Sequence, residues 1–144
     1  MDYIVVRVLI LCTGNSCRSQ MAEGFLRSFD DNLEVYSAGT APAVSIHLKA
    51  VQVMKESGID ISGHYTKPVK DFLDKDFDYV ITVCGGAREV CPVFTGMVRE
   101  QIHIGFDDPT QATGADEDIT AEFRRVCNEV RERFLQLYEN DITV

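Results

Sequence analysis

Apolar and polar positions fall in blocks whose period changes along the chain. Residues 4–11 are apolar except for Arg7 and stop abruptly at Cys12, the pattern of a strand buried on both faces of a parallel sheet. Over residues 19–29, Met21, Ala22, Phe25, Leu26 and Phe29 recur at helical spacing, so the first unit reads strand, short polar loop, helix. A second strand is expected over 33–37, and Ser45 is the candidate N-cap of a helix that ends at Gly58. Residues 77–83 predict a third strand, stopped at Cys84 and followed by Gly85-Gly86, and residues 101–106 a fourth. Phe123, Val126, Cys127, Val130, Phe134, Leu137 and Tyr138 form one apolar stripe on a last helix over about 119–139. Strands alternating with helices predict an α/β fold, a single domain with a four-stranded parallel sheet and helices on both faces. In such sheets ligands bind beyond the carboxyl ends of the strands, where Cys12, Cys84 and Asp107-Asp108 fall.

Composition narrows the function classes. A chain of 144 residues, 45% apolar and 26% charged, with ten glycines and four prolines, is globular, and neither collagen-like nor disordered. The break at Arg7 leaves no membrane-spanning run and, with Asp2 before it, argues against an export signal. Fourteen basic against 23 acidic residues leave a net charge of −9 with no basic stripe, which repels nucleic acid. Five cysteines without an export signal point to a reducing, cytoplasmic setting in which thiols ligate metal, react or fill core space.

The segment Cys12-Thr13-Gly14-Asn15-Ser16-Cys17-Arg18-Ser19 joins a buried strand to a helix. One glycine, one asparagine tolerant of left-handed geometry and small residues elsewhere allow its backbone N–H groups to turn inward. With the helix N-terminus they form a cradle for a tetrahedral oxyanion, and the Arg18 guanidinium can clamp two of its oxygens. Cys12 lies at the base of the cradle, where the dipole, the N–H donors and Arg18 are expected to lower its pKa and make it a nucleophile. Hydroxyls of Ser16 or Ser19 are candidates for hydrogen bonds to that thiolate.

Cys84 is expected on the same rim as Cys12, because the third strand lies next to the first. Cys91 follows seven residues later. A helical turn over 86–92 separates the two by about 10 Å, whereas a disulfide needs Cα atoms within about 7 Å, so bridging them requires that segment to unwind. Zinc binding and inert core thiols remain rival readings of this pair, although Cys-x6-Cys is not a zinc spacing and His47, His64 and His103 are scattered. Cys17 reads as a packing group within the loop, with a Cys12–Cys17 disulfide conceivable, and Cys127 as core.

The chain resembles the thioredoxin-coupled arsenate reductases, built on the low-molecular-weight protein tyrosine phosphatase scaffold. The resemblance spans nearly the whole chain. It rests on the segment from Cys12 to Arg18 and its continuation Ser19-Gln20-Met21-Ala22-Glu23-Gly24, on Tyr36-Ser37-Ala38-Gly39, on Asp60-Ile61-Ser62, on the stretch from Cys84 to Pro92, and on Gly105-Phe106-Asp107-Asp108-Pro109. It implies that arsenate, or a similar tetrahedral oxyanion, binds Thr13, Gly14, Asn15, Ser16, Cys17, Arg18 and Ser19, and that the Cys12 thiolate attacks arsenic. Asp108, before the proline, is the implied general acid, with Asp107 as the other candidate or as a like charge that raises the Asp108 pKa. The resemblance further implies that Cys84 attacks the Cys12 adduct and releases arsenite. Cys91 then takes over the disulfide and presents it to thioredoxin, itself reduced by NADPH through thioredoxin reductase. No bound cofactor, no metal, no membrane and no nucleic acid belong to this picture, and the chain is expected to be a monomer.

Some members bind potassium near the loop. Asn15, Glu23 and Ser37 match that site, but Tyr65 and Lys67 stand where a threonine and an aspartate are expected, and Lys67 offers its own ammonium in the cation's place. Two alternatives remain. One is a phosphatase using Cys12, Arg18 and Asp108, against which Thr110-Gln111-Ala112 supplies no aromatic residue after the Asp-Pro pair. The other is a thiol sensor or arsenite-binding module without turnover.

Overall fold

The computed structural model describes residues 5–142. Four parallel strands, β1 (Arg7–Cys12), β2 (Glu34–Gly39), β3 (Phe77–Thr82) and β4 (Val98–His103), pair in the order β2-β1-β3-β4. Between and after them run α1 (Arg18–Phe29), α2 (Leu48–Glu56), the short α3 (Gly85–Glu89) and the long α4 (Asp116–Leu137). The four consecutive residues Val8, Leu9, Ile10 and Leu11 are buried; successive strand side chains point to opposite faces, so both faces of the sheet are covered. Helix α1 packs on α4, and α4 on α2, through buried Phe25, Phe123, Val126, Val130 and Phe134. The rings of Tyr36, Phe72 and Phe77 lie 5.8–6.3 Å apart around a 3-10 turn at Val69–Phe72.

The α/β class and the four-stranded parallel sheet agree with the sequence pattern, while several boundaries differ, among them β2 at 34–39 instead of 33–37 and α4 at 116–137 instead of about 119–139. Ile4 of the expected first strand lies outside the described residues, and β1 begins at Arg7. The second helix is capped by His47, whose Nδ1 accepts the Lys49 N–H at 3.1 Å, not by Ser45. Its end is as expected, with Gly58 at φ 82°, a conformation that glycine adopts at little cost. Strand β4 spans 98–103 instead of 101–106, because it is a sheet edge and mostly exposed, so the apolar pattern does not mark its start. Beyond it Ile104 and Phe106 still donate to Thr82 and Val83 (2.9 and 3.1 Å). This bonding carries the chain along the rim toward Asp108.

Candidate active site

The loop after β1 is shaped by where its carbonyls go. Those of Cys12, Thr13, Gly14 and Ser16 accept hydrogen bonds of 2.9–3.1 Å from the N–H groups of Thr40, Ala41, Ala43 and His47. In a trans peptide the C=O and the following N–H point in opposite directions, so the amides of Thr13, Gly14, Asn15 and Cys17 face away from that segment, into the loop's concavity. Asn15 sits at φ 53°, the left-handed conformation expected from its residue type. Its buried side chain donates to Ser19 Oγ (2.8 Å) and Ser37 Oγ (3.0 Å) and accepts from Gln20 Nε2 (3.1 Å) and the Lys67 N–H (3.0 Å). Of Asn15, therefore, only the backbone N–H is available to an anion. Gly39, opposite Cys12 in the sheet, lets the strand and loop touch: a Cβ there lies 2.5 Å from the Thr13 carbonyl oxygen. Gln20 and Gly39 belong to the matching segments but had no role assigned from sequence; a glycine ending the strand beside the cysteine strand was the available signal.

Helix α1 starts at Arg18 without an acidic residue in its first turn and without a side-chain cap from Cys17, so its N-terminal dipole is not neutralised locally. Arg18 is nearly enclosed, its side chain 11% exposed. Nη1 donates to the Phe106 carbonyl at 3.1 Å, Nη2 lies 3.6 Å from Asp108 Oδ2, and buried Nε has no partner among the described residues. A buried unsatisfied donor is costly unless a ligand meets it.

Cys12 and Cys84 are both buried, side by side where the adjacent strands β1 and β3 end, close enough that each affects the other's charge. Cys84 Sγ also receives the Ala87 N–H (3.4 Å) and lies 3.3 Å from the Thr13 hydroxyl. The Cys12 hydrogen bond, then Thr13, Ala87 and Arg18, outweigh burial and hold Cys84 down to about 4. The expectation of a depressed Cys12 is corrected here. Its hydrogen bond to Cys84 and its burial raise it, more than Arg18 and the Thr13 N–H lower it. The two thiols are therefore coupled, and a charge on one disfavours a charge on the other. Ser19 Oγ accepts from Asn15 and Ser16 Oγ lies 3.7 Å from Cys17 Sγ; neither hydroxyl is engaged with Cys12.

All five cysteines are free. Cys91, half-buried beyond α3, lines a cleft of about 230 Å³ with Arg88, Gln101 and His103. The helical turns of α3 stand between it and Cys84. Burial pushes Cys17 up to about 11, and Cys127 is core, 3.7 Å from the Met54 sulfur.

The two aspartates separate cleanly. Asp107 turns outward to Arg125 Nη2 (3.0 Å) on α4, whereas Asp108 faces Arg18. Burial alone raises the Asp108 carboxyl, but the Thr110 hydroxyl (2.6 Å), the Thr110 N–H (3.0 Å) and Arg18 bring it below its ordinary value. Like-charge repulsion from Asp107 therefore does not govern Asp108.

Below the loop, the buried Glu23 accepts from Ser37 Oγ (2.8 Å), and Arg27, His64 and Lys67 approach it at 3.3, 3.5 and 4.0 Å. Its surroundings do not fit a potassium ion, which needs free oxygen ligands. Asn15 Oδ1, Ser37 Oγ and the Tyr65 carbonyl already accept from N–H donors of this chain.

Residues 7–142 match the low molecular weight phosphotyrosine protein phosphatase family. The chain is 47% identical over 127 residues to an arsenate reductase of Halalkalibacterium halodurans, covering 88% of this chain and 90% of that one. Among solved structures it is similar to an arsenate reductase in the phosphate-binding state, at 32% identity and a TM-score of 0.78, covering 93% of this chain and 97% of that one. A thioredoxin-dependent arsenate reductase of Corynebacterium glutamicum matches at 27% identity and a TM-score of 0.67, over 95% of this chain and 61% of that one. With a family match from the first strand to the end of the last helix, the chain belongs to the low molecular weight phosphotyrosine protein phosphatase family.

Proposed function

We propose that this protein is an arsenate reductase that works through Cys12, Cys84 and Cys91 and is re-reduced by thioredoxin. The observation that carries the reading is the buried pair Cys12 and Cys84, brought together at the ends of adjacent strands beside the loop. A phosphatase needs one thiol there; a reductase needs a second within reach of the first.

Arsenate fills the concavity, its oxygens taking the inward N–H groups of residues 13–17 and the open donors of Arg18. Any proton on Cys12 passes to the neighbouring Cys84, and the Cys12 thiolate attacks arsenic. As the S–As bond forms, an oxygen leaves as water, protonated by Asp108 once the dianion draws Arg18 away and raises that carboxyl. The Cys84 sulfur, losing its proton, then attacks Cys12 Sγ. The S–S bond forms, the S–As pair stays on arsenic, arsenic(V) becomes arsenic(III), and arsenite departs. Attack of Cys91 on Cys84 forms Cys84–Cys91 and releases Cys12 as thiolate. This last step needs α3 to unwind, and Gly85-Gly86 at its start and Pro92 beyond its end suit that. Two electrons from a thioredoxin dithiol, supplied by NADPH through thioredoxin reductase in the cytoplasm, restore the thiols.

The test is arsenate reduction coupled to thioredoxin, thioredoxin reductase and NADPH, for the wild type and for Cys12→Ser, Cys84→Ser and Cys91→Ser. Each variant is expected to lose steady-state turnover; turnover that persists in Cys84→Ser or Cys91→Ser overturns the relay.

A further inference from the structure

The pocket under the anion loop holds a cation that belongs to the chain itself. The Lys67 side chain is 16% exposed and Glu23 is 4% exposed. The ammonium donates to the Tyr65 carbonyl at 3.0 Å, lies 4.0 Å from Glu23 Oε1 and sits 4.8 Å from the centre of the Tyr65 ring. Glu23 Oε1 also accepts from Ser37, whose hydroxyl receives Asn15 Nδ2, so the charge pair is two hydrogen bonds from the residue that shapes the loop. The Lys67 backbone is held independently, its N–H on Asn15 Oδ1 (3.0 Å) and its carbonyl on the Gly39 N–H (2.8 Å).

We propose that the Lys67 ammonium is a built-in monovalent cation, a positioning residue that holds Glu23, Ser37 and Asn15, and through them the oxyanion loop, without a bound metal ion. Charge balance supports it. Arg27, the other strong cation on Glu23, is half exposed and makes two hydrogen bonds (3.2 and 2.7 Å) to the Val35 carbonyl. Lys67 is the enclosed partner, and a buried carboxylate without one is costly. Burial pulls the ammonium below its ordinary value while Glu23 supports it. The neutral neighbours are in place too: Gln20 gives both amide hydrogens to Asn15 and Tyr65, so its Oε1 accepts from His64 Nδ1 at 3.0 Å.

The inference rests on the loop binding an oxyanion, not on arsenate chemistry. It is tested by the melting temperature of the full chain in equal concentrations of potassium, sodium and N-methylglucamine chloride, with and without inorganic phosphate, for wild type, Lys67→Met and Lys67→Arg. Wild type and Lys67→Arg are expected to melt within about 1 °C in all three salts. Lys67→Met, which keeps the stem and the backbone bonds, is expected to melt lower in N-methylglucamine, to recover in potassium or sodium, and to bind phosphate about tenfold more weakly until a small cation is added. A potassium-specific rise in the wild type overturns the proposal, as does a Lys67→Met protein indifferent to small cations. Absence of any phosphate response in the wild type instead counts against the oxyanion loop, while the comparison of variants in phosphate-free salts still decides the role of Lys67.

Discussion

The Thr13 hydroxyl lies 3.3 Å from the Cys84 sulfur, tying the anion loop to the end of the neighbouring strand. Its proton stabilises a thiolate on Cys84, which is otherwise met only by Ala87, Cys12 and the field of Arg18. Replacing Thr13 by Val is expected to raise the Cys84 midpoint by about one unit, the worth of one hydrogen bond to a charged group. Thiolate absorbance near 240 nm followed against pH, in the Cys12→Ser background and with Cys91 also removed, reads that midpoint against the same protein with Thr13 intact. An unmoved midpoint means the hydroxyl does not serve the sulfur.

Gly39 stands where no side chain fits. The clash of an added Cβ is with backbone, the Thr13 carbonyl oxygen at 2.5 Å, so the loop itself must move. Gly39→Ala is expected to cost about 1–3 kcal/mol of stability and to weaken phosphate binding by at least tenfold. Denaturant melts and phosphate titrations check both.

Asp107 and Asp108 are neighbours in sequence with opposite surroundings. Asp108→Asn, next to Arg18, is expected to lower kcat by about 10²- to 10⁴-fold, the usual contribution of a general acid. Asp107→Asn loses one exposed pairing with Arg125, which keeps Glu122 and Glu129, and is expected to leave both rate and stability close to wild type. Equal losses in the two variants contradict the assignment.

Stability should fall on mild acidification. Burial, helped by Arg27 and Lys67 and opposed by Glu23 and Asp60, holds His64 below its ordinary value, and burial and Lys49 do the same to His47. The unfolded chain takes up protons near pH 6.5 that the folded imidazoles refuse, so the unfolded state binds more protons and is favoured as pH drops. The melting temperature is therefore expected to decline from pH 7.5 to pH 5.5, the range about one unit either side of that value. The decline should be shallower in His64→Gln, and an unchanged slope means that His64 takes up its proton equally in the folded and unfolded states.

Cys91→Ser isolates the middle of the relay. Without the outer thiol, one arsenite per chain is expected in a single burst, leaving a Cys12–Cys84 disulfide that mass spectrometry of unreduced peptides identifies. Continuous turnover with thioredoxin contradicts the outward transfer.

Much of this architecture is written in local pattern. A β-branched run that ends at Cys12, helical spacing after Ser19 and the stripe from Phe123 to Tyr138 depend only on neighbours along the chain, and they place the loop at the carboxyl end of the sheet. Residue types alone foretold an Asn in left-handed geometry. Edge strand β4 escaped because a strand exposed on most of its length carries no apolar period.

What the chain's pattern left open depends on distances between residues remote in sequence. Cys12 and Cys84 meet only because β1 and β3 are adjacent, and the charge of each then depends on the other as well as on the loop. That Asp108 meets Arg18 while Asp107 meets Arg125 is decided by a single backbone turn. Whether Lys67 enters the pocket of Glu23 was likewise decided by the segment that pairs with Gly39. Salt screens exposed charges beyond about 10 Å, so contact geometry, which no local pattern encodes, determines these interactions.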